Sequence, residues 1–215
     1  MDWPTVSVLI PTFQRHFVVA RTVELFQKHL IYAGQLEFVV SEDGPELPDI
    51  AAPHVRVVKG PGRGLGGNQN ALLAQNEHDI VLQSDDDFWL VTPLFLDAHV
   101  MTLLTVPEIG WIKLMYLEDH NFTATLRGMY WWVDWSSPEL YIPSNRAHLK
   151  HRRFHAAFGM YPENEKLAAT ENTFCAQCKA LAQTPGPWPQ VVAPLGMDTE
   201  NSWLHVGQSY QKQGY

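Results

Sequence analysis

The chain has 215 residues, 46% of them hydrophobic and 18% charged, which bounds it to one domain-sized globular unit with a real core. A net charge of −8 excludes a general attraction to nucleic acid or an anionic membrane, although it leaves room for a local basic face. No apolar run reaches membrane-spanning length, and Met1-Asp2-Trp3-Pro4 lacks the basic and apolar regions of a signal peptide.

Thr5-Val-Ser-Val-Leu-Ile10 alternates and is β-branched, so it reads as a buried first strand ended by Pro11-Thr12. Phe17 to Leu30 has helical spacing at Val18, Val19, Val23, Leu25, Phe26 and Leu30, with Gly34 beyond its end. Leu36 to Val40 is a second strand, stopped by Ser41-Glu42-Asp43-Gly44-Pro45. Val55 to Val58 is a third. Gly60 to Gly67 reads as a glycine-rich loop, and Asn68 to Gln75 opens a helix. Ile80 to Gln83 is a fourth strand, running straight into Ser84-Asp85-Asp86-Asp87.

Strands alternating with helices over the first ninety residues predict a parallel sheet covered by helices. Ligands in such sheets bind at the carboxyl ends of the strands. Pro11-Thr12, Glu42-Asp43, Gly60–Gly67 and Asp85–Asp87 all fall at those ends. Three adjacent carboxylates repel one another unless a cation shares them, and hard oxygen ligands suit Mg²⁺ or Mn²⁺ better than Zn²⁺. An acidic turn before Thr92-Pro93 is the plainer alternative for the triplet.

The second half is less regular. Pro93 to Leu104 predicts a helix, Ile109 to Leu117 and Met129 to Trp135 strands, and Leu167 to Leu181 a helix. Asn145 to Phe158 is a basic helix or loop carrying His148, Lys150, His151, Arg152, Arg153 and His155. Val191 to Ala193 is a short strand. The tail after Gly207 is polar. Cys175 and Cys178 form a lone C-x-x-C inside the last helix; without a second pair they predict free thiols in a reducing cytoplasm. No internal repeat or linker appears, so a single domain is expected, residues 1–90 forming a nucleotide-binding half and 91–215 an acceptor-side half.

The ordered set Val8-Leu-Ile-Pro-Thr-Phe-Gln-Arg15, Ser41-Glu-Asp-Gly44, Arg63-Gly-Leu-Gly-Gly-Asn-Gln-Asn70 and Ser84-Asp-Asp-Asp87 resembles the family 2 glycosyltransferases of the GT-A fold. The match covers residues 5 to 90. Each motif alone is weak, and their order and spacing carry the likeness. The resemblance implies a GT-A α/β fold with a mostly parallel sheet, a nucleotide-sugar donor, UDP-linked, and Mn²⁺ or Mg²⁺ as cofactor. It implies that Pro11, Thr12 and Arg15 lie against the nucleotide and that Asp43 accepts a hydrogen bond from its base. Asn70 matches the family's Asn after an Arg, but Gln69 stands where that Arg would be, and Arg63 is the candidate replacement.

The acidic triplet matches the family's Asp-x-Asp motif. Asp85 and Asp86 would lie by the nucleotide, and Asp85 and Asp87 would bind the metal; Asp85 serves in either register. The family's later acid matches Glu171, followed by Asn172, which cannot take a proton. Glu171 is therefore the expected general base, with Glu163 and Glu165 as competitors. His205, in Trp203-Leu-His-Val-Gly207, matches a late metal-binding His, and a structural His is the alternative. Lys150, Arg152 and Arg153, with Trp132, would hold the diphosphate or an acceptor. The implied reaction is an inverting sugar transfer to an acceptor hydroxyl, on a glycan or small molecule. A first alternative keeps this chemistry on a hydroxylated DNA base, the basic run beside Trp131, Trp132 and Trp135 gripping the polynucleotide. Others are a nucleotidyltransferase and a non-catalytic nucleotide-sugar-binding module.

Overall fold

The computed structural model describes residues 2–115, 122–195 and 202–207. Its strands are β1 (Val6–Thr12), β2 (Leu30–Ile31), β3 (Leu36–Glu42), β4 (Val55–Lys59), β5 (Ile80–Gln83), β6 (Phe88–Leu90), β7 (Leu94–Phe95), β8 (Ile109–Lys113), β9 (Ala124–Arg127), β10 (Tyr130–Val133), β11 (His148–His151), β12 (Gln190–Pro194) and β13 (Trp203–His205). The helices are α1 (His16–His29), α2 (Gly64–Ala74), α3 (Asp97–Thr105), α4 (Arg153–Phe158) and α5 (Leu167–Ala182). Tyr116 and Leu117 of the expected strand and the tail after Gly207 lie outside the described residues.

Nine strands form one sheet in the order β4-β3-β1-β5-β11-β8-β12-β10-β9. β4, β3, β1 and β5 are mutually parallel, as alternating strands and helices require. β11 is antiparallel to both β5 and β8. β8 and β12 are parallel, and β10 is antiparallel to β12 and β9. The sheet is therefore parallel in its amino-terminal half and mixed beyond it.

Strand alternation sends successive residues to opposite faces. Val6, Val8 and Ile10 pack with Val19, Val23 and Phe26 of α1 and with Val100 and Leu103 of α3. Leu9 joins Val39, Val81 and Leu72 of α2 on the other face. There Trp111 and Val191 also meet Phe154 and Phe158 of α4 and Phe174 and Cys178 of α5. Helices thus cover both faces, and all seven residues of β1 are buried between them. Both cysteines are buried free thiols.

Several elements depart from the sequence reading. β1 and β3 each run two residues past their predicted ends, because Pro11 pairs with Ser41 and Thr12 with Glu42. Helix α2 starts at Gly64, inside the expected loop, since the Asp43 carboxylate accepts hydrogen bonds from Gly62 N (2.6 Å) and Gly64 N (3.1 Å). Gly66 must be glycine: a Cβ there would stand 1.8 Å from the Pro162 carbonyl oxygen. The basic stretch from Asn145 is strand β11 followed by the short α4, not one helix or loop. α3 begins at Asp97, because Leu94 and Phe95 form β7 against β2.

Candidate functional site

The carboxyl ends of β1, β3 and β5 share one edge of the sheet, and their end residues interlock there. Asp43 N bonds Thr12 O at 3.0 Å, Gly60 N bonds Glu42 O at 2.8 Å, and Ser84 N bonds Leu9 O at 3.2 Å. Asn68 of α2 donates to Ser41 O (2.9 Å) and Thr12 O (3.3 Å), so it ties β1 to β3. Glu42 is fully buried and accepts from Gln14 N (3.0 Å) and Gly44 N. That grip holds Gln14 at φ 55°, a left-handed conformation uncommon outside glycine, and so aims Arg15 from the start of α1. Motif order suggested Asp43 but not Glu42 or Asn68; neither has a spacing signal of its own.

Arg15 reaches the acid triplet. Its Nε (3.1 Å) and Nη2 donate to Asp86, and its Nη1 donates to Asp87 Oδ2 at 2.8 Å. Asp86 is sealed in: Thr12 Oγ1 donates to its carboxylate at 2.5 Å, and Thr22 Oγ1 donates to its carbonyl. Burial pushes the Asp86 carboxyl up to about 7, against the pull of Arg15 and Thr12. Arg15 in turn stays protonated above its usual range, because Asp86 and Asp87 outweigh the cost of burial.

Asp85 is left without such a partner. Its Oδ1 is closed off from solvent and has no hydrogen bond. Burial raises its pKa well above the carboxylate range, with further contributions from Asp87, Glu171 and Asp86. Asp85 as it stands therefore favours its protonated form, with the charge of Arg15 the opposing pull.

The carboxyl-terminal segment closes this corner. β13 pairs with β6, which puts His205 opposite Phe88 and stacks the two rings at 4.6 Å. His205 Nε2 lies 3.5 Å from Asp87 Oδ2, and Val206 N bonds Asp87 O at 2.9 Å. A Cβ on Gly207 would meet Asp87 Oδ2 at 2.2 Å.

Among the described residues no three His, Cys, Asp or Glu side chains form a ready-made metal cluster. The donor set nevertheless fits a magnesium-like ion. Such ions are held by one or two carboxylates, with ligand phosphates and water completing the shell. The unpartnered Asp85 oxygen beside Asp87 offers that pair.

Glu171, on α5, accepts a hydrogen bond from Asn145 N (2.8 Å) and is close enough to Asp85 to raise its pKa. Its competitors are engaged elsewhere. Glu163 pairs with Arg63 at 2.5 Å and accepts from Asn70 Nδ2 at 3.0 Å. Glu165 accepts from Thr173 Oγ1 at 3.0 Å. One face of α5 also pins the preceding loop. Cys175 Sγ donates to Pro143 O at 2.8 Å, and Lys179 donates to Ser137 O and to Glu139 O at 3.3 Å. Lys113, buried at the end of β8, donates to Tyr141 O (2.9 Å) and Ile142 O (3.0 Å), and burial lowers its pKa to about 7. Lys113 at the end of β8 and Asn145 in the loop have no local motif to reveal them.

Other expected site residues stand away from this corner. Asn70, expected at the nucleotide, holds the backbone of Tyr161 from both sides, N–H (3.0 Å) and C=O (2.9 Å), so its amide braces that backbone. Gln69 is fully buried with neither amide atom bonded. Lys150 is 1% exposed and lies beneath the sheet, donating to Gln83 Oε1 (2.6 Å) and Tyr161 OH (3.0 Å). Because β11 is antiparallel to β5, Arg152 emerges at the opposite edge and pairs with Asp79, before β5 begins. Arg153 donates there to Ile109 O (3.2 Å) and Leu103 O. Trp132 lies four strands from β5, with Arg127 over its ring at 5.0 Å. Strand polarity, burial and sheet order thus place these four, expected at the diphosphate or acceptor, away from the acid corner. The basic run likewise forms no continuous face beside the tryptophans for DNA: Lys150 and Trp135 are buried and Arg152 is at the far edge.

Residues 7–102, just under half the chain, match the family model described as glycosyl transferase family 2. No curated protein matches the sequence. Among solved structures, a mannosyltransferase from Pyrobaculum calidifontis in complex with GDP-Man and Mn²⁺ superposes with a TM-score of 0.56 at 13% identity, over 90% of this chain and 55% of that one. S. aureus TarS 1-349 in complex with UDP-GlcNAc gives 0.59 at 16% identity, over 91% and 56%. At such identities the likeness is one of fold, and the chain spans little more than half the length of these neighbours.

Proposed function

With residues 7–102 a glycosyl transferase family 2 segment on the GT-A fold of these neighbours, we propose that the protein transfers a sugar from a nucleotide-sugar donor to an acceptor hydroxyl with inversion. The observation that carries this reading is the convergence at one sheet edge. Asp43 and the start of α2 lie on one side, the acid triplet lies in the middle, and Glu171 arrives from the other half of the chain. The neighbours' GDP-Man and UDP-GlcNAc support a nucleotide-sugar donor, and UDP is the donor nucleotide proposed here.

Asp85 and Asp87 would hold Mn²⁺ or Mg²⁺, with His205 beside Asp87. When bound, such an ion supplies Lewis-acid stabilisation of the charge left on the departing diphosphate. Glu171 takes the proton from the attacking hydroxyl in this reading, supported by its charge being felt at Asp85 and by its arrival from the other half of the chain. The Asn145 amide fixes the direction of its other oxygen. Asp86 contacts no substrate in this scheme; Thr12 and Arg15 hold it as the scaffold of the triplet.

The test needs no acceptor. Purified protein is offered a panel of UDP-, GDP- and dTDP-sugars with Mn²⁺, and nucleotide release by slow hydrolysis is followed. One donor should be hydrolysed in a chelator-sensitive way. Binding of a donor without release over days would turn the reading to a non-catalytic module.

A further inference from the structure

The corner brings the three carboxylates of the triplet together with the guanidinium of Arg15. The guanidinium sits at the amino end of α1, where the helix dipole is positive and the first turn has no acidic residue. The acids across the corner make that position favourable. Arg15 uses two of its nitrogens on Asp86 and a third on Asp87 Oδ2. The two acids differ in how firmly they are held. Asp86 is fully buried and also held by Thr12 and Thr22. Asp87 has a side chain 12% exposed, and its Oδ2 is crowded by Arg15, His205 and Gly207. Asp85 has an oxygen with no partner at all.

We infer that Arg15 is the resident cation of this corner and that it competes with the divalent ion for Asp87. The inference rests on the metal reading above and adds how that site is loaded. An ion between Asp85 and Asp87 would share Asp87 with a guanidinium 2.8 Å away, so it meets both an occupied ligand and a like charge. The free protein therefore binds metal weakly. A nucleoside diphosphate brings its own oxygens for the ion and a new anionic partner for the Arg15 nitrogen that leaves Asp87. Metal and donor then load together, while the Arg15–Asp86 contact stays in place.

Arg15→Lys separates the two contacts. A lysine ammonium is a single point of charge and cannot fork across both acids. It can still neutralise buried Asp86, which keeps the fold, as a thermal melt would verify. Mn²⁺ affinity is read from the loss of the free-ion electron paramagnetic resonance signal, without nucleotide and then with saturating UDP. In the absence of UDP, Arg15→Lys should bind Mn²⁺ about tenfold more tightly than the wild type. With UDP the wild type should gain more affinity than the variant and close that gap. Equal or weaker Mn²⁺ binding by Arg15→Lys without UDP would overturn the inference and leave the metal site standing. No Mn²⁺ binding by the wild type even with UDP would remove the metal reading and this inference with it. Should the variant unfold, ¹⁵N spectra of the wild-type Arg15 side chain decide. Adding Mg²⁺ and UDP should shift the Nη signals and spare Nε; unchanged Nη signals on saturation would refute the competition.

Discussion

The two halves of the sheet treat their polar residues in opposite ways. From β4 to β5 every strand runs in one direction, so each strand end delivers its polar residues to the same edge. Beyond β5 the polarity is mixed, and a polar run is divided between edges. The stretch from Asn145 to Arg153 illustrates this: Asn145 reaches Glu171 at the site edge, Lys150 is buried midway, and Arg152 leaves at the far edge. In a parallel half, a cluster of motifs is a site. In a mixed half, a cluster in sequence is not a cluster in space.

The largest effect expected from this contrast is at the triplet. Asp85→Asn should abolish donor turnover without unfolding the protein, since the substitution removes a charge that burial and its acidic neighbours already disfavour. Near-normal hydrolysis by Asp85→Asn in excess chelator would break the assignment of the donor half. Glu171→Gln should lower transfer by about 10²–10⁴-fold, the range for losing a general base, while UDP affinity stays within about twofold. Loss of UDP binding in this variant would mean that the halves do not divide donor from acceptor. Asp43→Ala should weaken UDP by roughly tenfold to a hundredfold in calorimetry, because it removes a charged acceptor and frees the Gly62 and Gly64 amides.

A smaller effect marks the mixed half. His99 of α3 bonds Tyr130 OH at 2.8 Å, and burial lowers its pKa from 6.5 to about 4. Between those values the unfolded chain takes up a proton that the folded chain refuses. Stability is therefore retained above pH 6.5 and lost as pH falls, by on the order of 2 kcal/mol at pH 5. Denaturant titrations of His99→Gln should lack that slope; an identical slope would place the acid sensitivity elsewhere. The smallest effect belongs to the far edge. Arg152→Gln removes an exposed pair with Asp79 and should change neither turnover nor stability by more than about 1 kcal/mol. A tenfold loss of activity would return the basic run to the site.

The amino-terminal half was legible because its signals are local. Alternation placed β1 and β5, and Gly, Pro and acid punctuation placed the edge. What stayed hidden there was contact across the edge. Arg15 was read as a nucleotide contact, and its bonds to Asp86 and Asp87 were not foreseen; Glu42, named beside Asp43 but given no role, shapes the Gln14 turn. Helix α2 begins four residues before its expected start because Asp43, twenty-one residues from Gly64, caps it. The mixed half hid more. Nothing local in His148–His151 tells whether that strand runs up or down the sheet, and Lys150, Arg152 and Arg153 all depend on it. Glu171 was found by likeness to a motif, while the Asn145 amide that holds it belongs to a loop with no pattern.

The position of β11 has a consequence for how the chain must be handled. The segment that matches the family ends at residue 102, yet the neighbour of β5 on its open side comes from residues 148–151. A fragment cut near residue 102 would end its sheet at Ile80-Val81-Leu82, residues that are buried on both faces in the whole chain. An apolar, uncharged border strand with free amides is a template for pairing with other molecules. Such a fragment should precipitate on expression. During synthesis, the same strand waits about seventy residues for its partner, an interval in which a chaperone has something to bind.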